Sequence, residues 1–356
     1  MSGGLRIGGA PLVTLRARDL PPEGPAFTEA QVLPGRGMML LQARLRMPDG
    51  RIVDGLFAPE PEDAARELSG GPDDFAGNRA FAFGGCLLAP YANRIRGRAL
   101  ADSREIETVV DGRAVRLPRN WGGKAPGAEQ YAMHGLILDA CVPFEASEDA
   151  VTGRLDAGDF GGRWPGQLQL EIAWALRGGA LLLYVTARNT GSEPLPLGLG
   201  WHPYFQLPSG DRAQARLRLP ARLRCENNDY DEVLPTGRLL PVAGTPYDFN
   251  GGAALGDLYL DDCFTDLVRQ EGQTVVEVLD PAAGIGLRIA SPTPEVKAVQ
   301  IYAPPDKPFV VVEPQFNLAE PFAAIWPPGT DTGMARLSPG ATLAYEVRLA
   351  VFALGT

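Results

Sequence analysis

The chain carries two histidines, and each sits in a setting suited to moving a proton. Imidazole is the side chain whose ordinary pKa, about 6.5, lets it give or take a proton near neutrality. His202 lies in Gly198-Leu199-Gly200-Trp201-His202-Pro203-Tyr204-Phe205, where glycines allow close backbone approach and Trp201, Tyr204 and Phe205 flank the imidazole. Aromatic faces beside a polar group suit the C–H face of a sugar ring, with its hydroxyls satisfied at the edge. The plainer reading is a core histidine in an aromatic cluster. His134, in Met133-His134-Gly135-Leu136, carries less local information.

A second feature is Phe309-Val310-Val311-Val312-Glu313-Pro314-Gln315. A carboxylate ending an apolar, β-branched run is expected to be partly desolvated, which raises its pKa and makes it a stronger base near pH 7. The alternative is a strand-end glutamate in water. A third is Tyr91-Ala92-Asn93-Arg94-Ile95-Arg96-Gly97-Arg98. If extended, it points Arg94, Arg96 and Arg98 to one face, because strand side chains alternate with a period of two. Such a face is usually solvated, although a single buried arginine can grip a substrate oxygen through its fork of donors. The fourth, Leu260-Asp261-Asp262-Cys263-Phe264, sets acids between apolar residues, and as a bare string it reads more readily as a turn.

Other chemistries lose their usual signatures. No HExxH, Walker loop, GxGxxG after a strand or GxSxG elbow occurs. Two histidines this far apart can in principle meet on a metal, but the spacing carries no metal motif and none is expected. Cys86, Cys141, Cys225 and Cys263 form no CxxC pair and are read as reduced core thiols.

Strand signals supply the elements that must position these groups. From Gln167 to Leu176, Leu168, Leu170, Ile172, Trp174 and Leu176 alternate with Gln169, Glu171, Ala173 and Ala175. Further extended segments are expected at Met39–Met47, Leu181–Asn189, Ala215–Arg224, Thr274–Leu279, Ile285–Ala290, Ala298–Tyr302, Phe309–Glu313 and Leu343–Phe352. Helical periodicity appears only at Pro61–Leu68, with acids in its first turn. Asn120–Glu129, Glu226–Tyr230 and Ala303–Lys307 read as loops. With 43 glycines and 33 prolines as punctuation, the pattern is that of a large all-β, antiparallel sandwich. One domain over 1–356 is expected; two β domains meeting near residues 150 to 165 is the alternative.

The 356 residues hold 33 Lys and Arg against 43 Asp and Glu, a formal charge of −10. That balance, without a long basic run, argues against nucleic acid or an anionic membrane surface as partner. It leaves a small or neutral ligand. Met1–Leu20 has no uninterrupted apolar stretch and no run is long enough to span a bilayer, so a cytoplasmic location is expected. A homodimer is left open.

In order, Asn93-Arg94-Ile95, His134-Gly135, His202-Pro203-Tyr204-Phe205, Asp261 and Glu313-Pro314-Gln315 resemble the aldose 1-epimerase, or galactose mutarotase-like, family. The resemblance implies a β-sandwich of the supersandwich type, an open cleft that works without a cofactor, and interconversion of the α and β anomers of a hexose. It implies Glu313 as the general base on the C1 hydroxyl and His202 as the acid on the ring oxygen, an acid and a base on either side of the hemiacetal. It gives His134 a hydrogen bond near the ring or C1 oxygen. Arg94 and Asp261 become contacts to sugar oxygens, Asp261 being chosen over its neighbour Asp262, and Asn93, Trp201 and Tyr204 join the substrate-binding set. The motifs depart from those typical of galactose-converting members, which carry a longer polar sequence at the second histidine and Glu-Thr-Gln at the base. Two alternatives accompany this reading. A hexose 6-phosphate or sulfonated sugar would need Arg96 or Arg98 in the cleft beside Arg94. A sugar-binding or sensing module would keep the cleft without turnover.

Overall fold

The computed structural model describes residues 4–101, 103–123 and 127–355. The alternation in the clearest segment gives the strand Leu168–Arg177, whose apolar set is buried while Gln169 and Glu171 face solvent. It is the third strand of a nine-stranded antiparallel sheet, paired with Ala150–Gly158 on one side and Ala180–Asn189 on the other. That sheet continues through Thr342–Ala353, Ile285–Ser291 and Thr274–Asp280. Residues 150–165, where a junction between two domains was the alternative, therefore supply a strand inside this sheet.

An eleven-stranded sheet faces it. Its middle is the run Leu260–Leu267, Ala298–Ala303, Phe309–Gln315, Gly200–Gln206 and Gly85–Leu88, each antiparallel to the next. Between the sheets lies an apolar core that draws on residues from Leu15 to Leu349. Trp174 from the nine-stranded sheet meets Trp201 from the other edge-to-face, with ring centroids 5.3 Å apart. The Tyr345 hydroxyl crosses between the layers to donate to the Pro314 carbonyl at 2.6 Å.

The expected helix is present as Pro61–Glu67, with proline in its first turn. The expected segment Ala215–Arg224 is instead two strands, Arg216–Arg218 and Ala221–Asn227, in different sheets. Pro220 lies between them, and a proline cannot donate to a ladder. Of the expected loops, Asn120–Glu129 includes a short strand at Trp121–Gly122, and its residues 124–126 lie outside the described residues. Glu226 and Asn227 complete a strand before the chain turns, and Ala303 ends another. Cys86, Cys225 and Cys263 are buried thiols, but Cys141 is exposed rather than in the core. Among the described residues, no helix is long and apolar enough to cross a membrane.

One expected ligand contact is corrected by the pleat. Trp201 neighbours His202 in the same strand, so its side chain must point to the opposite face of the sheet. It is fully buried in the inter-sheet core, and its indole nitrogen donates to the Gly85 carbonyl at 3.1 Å. Trp201 is a packing residue, not a ligand contact. Replacing a buried tryptophan with alanine removes its contacts and leaves a void, costing about 3–5 kcal/mol. Trp201→Ala is expected to lower unfolding stability by that amount in a urea titration followed by circular dichroism.

Candidate active site

The face of the eleven-stranded sheet turned away from the core carries the candidate chemistry. In Phe309–Gln315, Val310 and Val312 point into the inter-sheet core while Val311 packs with Tyr204 and Phe309 in a separate cluster on the other face. Glu313 follows the same alternation onto that outer face. The neighbouring strand pairs as Gly200↔Gln315 and Tyr204↔Val311, a register that sets His202 across from Glu313. Pro203 and Pro314 flank the two residues, and neither can donate a backbone hydrogen bond to the ladder. Pairing between these strands lapses over the intervening residues. On its other side His202 is held opposite Cys86.

Glu313 is 1 % exposed and His202 5 %. Their side chains touch, with His202 Nε2 3.3 Å from Glu313 Oε1. The sequence reading set an acid and a base on either side of a hemiacetal; here they stand side by side. His134 completes the group, its ring edge-on to His202 with centroids 4.7 Å apart. It follows the strand Gln130–Met133, whose partner strand Arg94–Arg96 is preceded by Asn93, and Asn93 and His134 both have left-handed backbone, φ +59° and +63°. Such conformations are uncommon outside glycine, and where they persist the surroundings must enforce them. The enforcement is visible: His134 donates its N–H to the Asn93 carbonyl at 2.7 Å. A Cβ on the following Gly135 would lie 2.2 Å from the Ala89 carbonyl oxygen, so only glycine fits there.

A hydrogen-bonded chain forms the polar wall. Arg94 Nε donates to Asn93 Oδ1 at 3.0 Å, Asn93 Nδ2 to Gln300 Oε1 at 3.2 Å, and Gln300 Nε2 to Asp261 Oδ1 at 2.6 Å. Arg94 Nη1 also donates to the carbonyls of Val233, at 2.9 Å, and Glu232. Among the described residues Arg94 Nη2 has no protein acceptor, and the residue lines the cleft. Asp261 faces the cavity. Asp262 does not; its carboxylate accepts from Arg224 at 2.8 Å and from the Tyr230 hydroxyl at 2.9 Å. The ring of Tyr204 lines the cleft, while its hydroxyl is used on the Phe81 carbonyl at 2.9 Å.

These groups bound a cavity of about 240 Å³. Glu313, His202, His134, Arg94, Asn93, Asp261 and Tyr204 all line it. Sequence reading missed Gln300, Tyr302, Tyr259, Tyr230, Phe81 and Trp121. Gln300 carried a signal, a lone amide inside the apolar run Val299-Gln300-Ile301, and its strand places it opposite Glu313. The aromatic residues arrive from loops and neighbouring strands, and nothing in their local sequence marks them. Trp121 and Tyr230 stay partly exposed where the cavity meets solvent.

The expected row of three arginines is broken. The strand stops at Arg96, and Arg98 begins a strand of a different sheet. Arg96 is engaged by Glu320 at 3.3 Å and Glu129 at 3.7 Å, and exposed Arg98 pairs with Glu107. Neither lines the cavity.

Burial dominates the electrostatics. It raises the Glu313 carboxyl well above the ordinary carboxylate range, with nearby Asp261 adding to the rise and Arg94 opposing it. Burial also lowers His202 to about 4. It also depresses His134 well below the ordinary imidazole value, aided by His202 and Arg94. Asp261 is raised by burial against the pull of Arg94 and Gln300. Two neutral imidazoles and a carboxyl group thus share the floor of the cavity. They can pass a proton among themselves and to a ligand. They are also a group with metal-ligand chemistry, each offering one donor atom within 4.8 Å of the others. The two histidines that the sequence left apart do meet.

Three comparisons bear on this arrangement. Residues 56–350 match the sequence profile of the family described as aldose 1-epimerase. Galactose mutarotase from Rattus norvegicus is 27 % identical over 179 residues, covering 48 % of this chain and 46 % of that protein. The Homo sapiens galactose mutarotase is 28 % identical over 178 residues, with the same coverage. The chain thus matches about half the length of these curated relatives. Among solved structures, a galactose mutarotase-like protein from Clostridium acetobutylicum superposes with a TM-score of 0.71 at 19 % identity, covering 92 % of this chain and 93 % of that one. An aldose epimerase homologue from C. elegans gives 0.70 at 17 % identity, covering 97 % and 99 %. The fold is the all-β, antiparallel sandwich of the galactose mutarotase-like proteins, and with the profile match running over most of its length the chain belongs to the aldose 1-epimerase family.

Proposed function

We propose that this protein interconverts the α and β anomers of a neutral hexose, with Glu313 and His202 moving the protons. The observation that carries the reading is their 3.3 Å contact on the floor of the cavity. The ring oxygen and the C1 hydroxyl oxygen of a hemiacetal are bonded to the same carbon. Two adjacent groups, rather than two separated by a sugar's width, therefore suit them. Glu313 takes the proton of the C1 hydroxyl as the bond from C1 to the ring oxygen breaks, and His202 gives a proton to that oxygen. The result is the open-chain aldehyde. Rotation about the C1–C2 bond presents the other carbonyl face. On closure His202 takes back the proton from the attacking hydroxyl, and Glu313 returns one to the carbonyl oxygen.

In this scheme the pair must hold one proton between them. With both protonated there is no base, and with neither there is no acid. Burial penalises both charges, so in the free protein the shared proton rests on Glu313 beside a neutral His202, and the reacting form is its tautomer. In this reading His134 hydrogen-bonds the ring or C1 oxygen. Arg94 Nη2 and the Asp261 carboxylate take hydroxyls, and the rings of Tyr204 and Tyr302 take the C–H face of the sugar. Asp231, Glu232 and Asp261 line the cavity with Arg94 as its lone cationic side chain among the described residues. That balance favours a neutral sugar over a phosphorylated or sulfonated one.

Polarimetry on freshly dissolved α-D-glucose, α-D-galactose and a hexose 6-phosphate tests the proposal. Wild type is expected to accelerate at least one neutral sugar. Glu313→Gln should lose roughly 10²-fold or more in kcat with its circular dichroism unchanged; no acceleration by wild type over buffer on any aldose would instead favour a binding module. Arg96→Ala and Arg98→Ala are expected to leave rates on neutral sugars within about twofold of wild type, as their side chains serve ion pairs outside the cleft. A strong preference for the phosphate, lost in either variant, would reverse the choice of substrate class.

The pH dependence has a definite sign. Below the depressed value of His202, about 4, both groups are protonated and kcat/KM should fall. Above the raised value of Glu313 both have lost their protons and it should fall again. After subtraction of the uncatalysed rate, a plateau between these limbs is expected. A profile that rises continuously from acid to alkaline pH would count against a shared proton.

A further inference from the structure

We propose that His134, His202 and Glu313 also form a binding site for a divalent transition-metal ion of the zinc class, and that the ion closes the cleft to sugar. The site needs donors of the right type, close together, with a route in from solvent. Two imidazoles and a carboxylate suit zinc, cobalt or copper rather than the hard cations calcium and magnesium. A tetrahedral ion with bonds of about 2.0–2.2 Å keeps its ligand atoms roughly 3.3 Å apart. His202 Nε2 and Glu313 Oε1 already stand at 3.3 Å. The His134 donor lies within 4.8 Å of both, so a small side-chain rotation brings it into range.

The three side chains have spare capacity in a place where spare capacity is costly. Glu313 Oε2, His134 Nδ1 and His202 Nδ1 are buried without hydrogen-bond partners. Left unsatisfied, such atoms forfeit the hydration they had in the unfolded chain. An ion held through His202 Nε2 and Glu313 Oε1 leaves those atoms unpaired, while its fourth position opens to the cavity that all three residues line. The affinity is limited by the same feature. Ligating histidines usually donate their second nitrogen to a fixed acceptor, and here neither Nδ1 has one. A reversible, chelator-sensitive site is therefore expected, weaker than a structural zinc centre.

The inhibitory part of this inference rests on the proposed epimerase reaction, since the ion occupies the lone pairs that the proton relay uses. The binding part does not. The test uses untagged full-length protein stripped with a chelator, in a Cys141→Ser background because that thiol is exposed and would itself take a soft metal. Co²⁺ is titrated and followed by its visible d–d absorption, and Zn²⁺ by calorimetry. Expected are one ion per chain, tetrahedral-type Co²⁺ bands that Zn²⁺ displaces, and weakening by roughly tenfold or more in both His134→Ala and Glu313→Gln. Excess D-galactose should weaken Co²⁺ binding, and Zn²⁺ should slow mutarotation competitively until chelator restores it. Absence of a one-to-one Co²⁺ signal up to millimolar metal would overturn the site, as would unchanged affinity in both variants shown by circular dichroism to be folded. Because absorption reports binding without turnover, a chain that takes up Co²⁺ but accelerates no sugar would sink the epimerase reading and leave the metal site standing.

Discussion

The structure turns on the cost of placing an ionisable carboxyl group in the middle of an apolar sheet. Glu313 sits in a strand whose residues are all buried, and an isolated charge there would cost several kcal/mol. Among the described residues its carboxylate pairs with His202 at 3.3 Å, and that partner is buried too. Neither group can carry its charge cheaply, so the stable arrangement is a neutral pair with one proton. The rest of the cavity is arranged around that pair: a polar wall from Arg94 through Asn93 and Gln300 to Asp261, and an aromatic wall.

The local backbone serves the same end. Pro203 and Pro314 follow His202 and Glu313 in the two central strands, where a proline is otherwise rare because it withholds a ladder donor. Here the ladder lapses beside the pair and the strands are joined above and below it. The left-handed turns at Asn93 and His134 carry a further cost, offset by the His134 to Asn93 backbone hydrogen bond and by the close seat of Gly135 against Ala89.

Much of this was legible in the residues, and the reason is periodicity. Alternation over Leu168–Leu176 gave both the strand and its buried face, and the apolar run before Glu313 pointed to a desolvated carboxyl group, as found. The same rule, applied to the residue next to His202, would have turned Trp201 away from the cleft; reading it as a ligand contact followed aromatic composition instead of the pleat. The arginine row failed because period two holds only while a strand continues, and Gly97 ends this one. The separation of Glu313 from His202 was misjudged for another reason. No local pattern encodes a distance between two strands that are far apart in sequence. The aromatic wall was hidden likewise, since Phe81, Trp121, Tyr230, Tyr259 and Tyr302 come together only through the sheet and its loops.

The span of the contacts at the site has a consequence for how the molecule comes into being. Asn93 reaches Gln300 across 207 positions of sequence, and Asn317 clasps both backbone groups of Ala92 across 225. Such long loops are closed only after shorter-range hairpins have formed, because their entropy must be surrendered before any contact compensates for it. A chain emerging from synthesis can therefore acquire most of its sheet while the floor of its cavity is still in pieces. Closure of the cavity marks the end of assembly, and a spectroscopic return of β-structure alone marks something earlier.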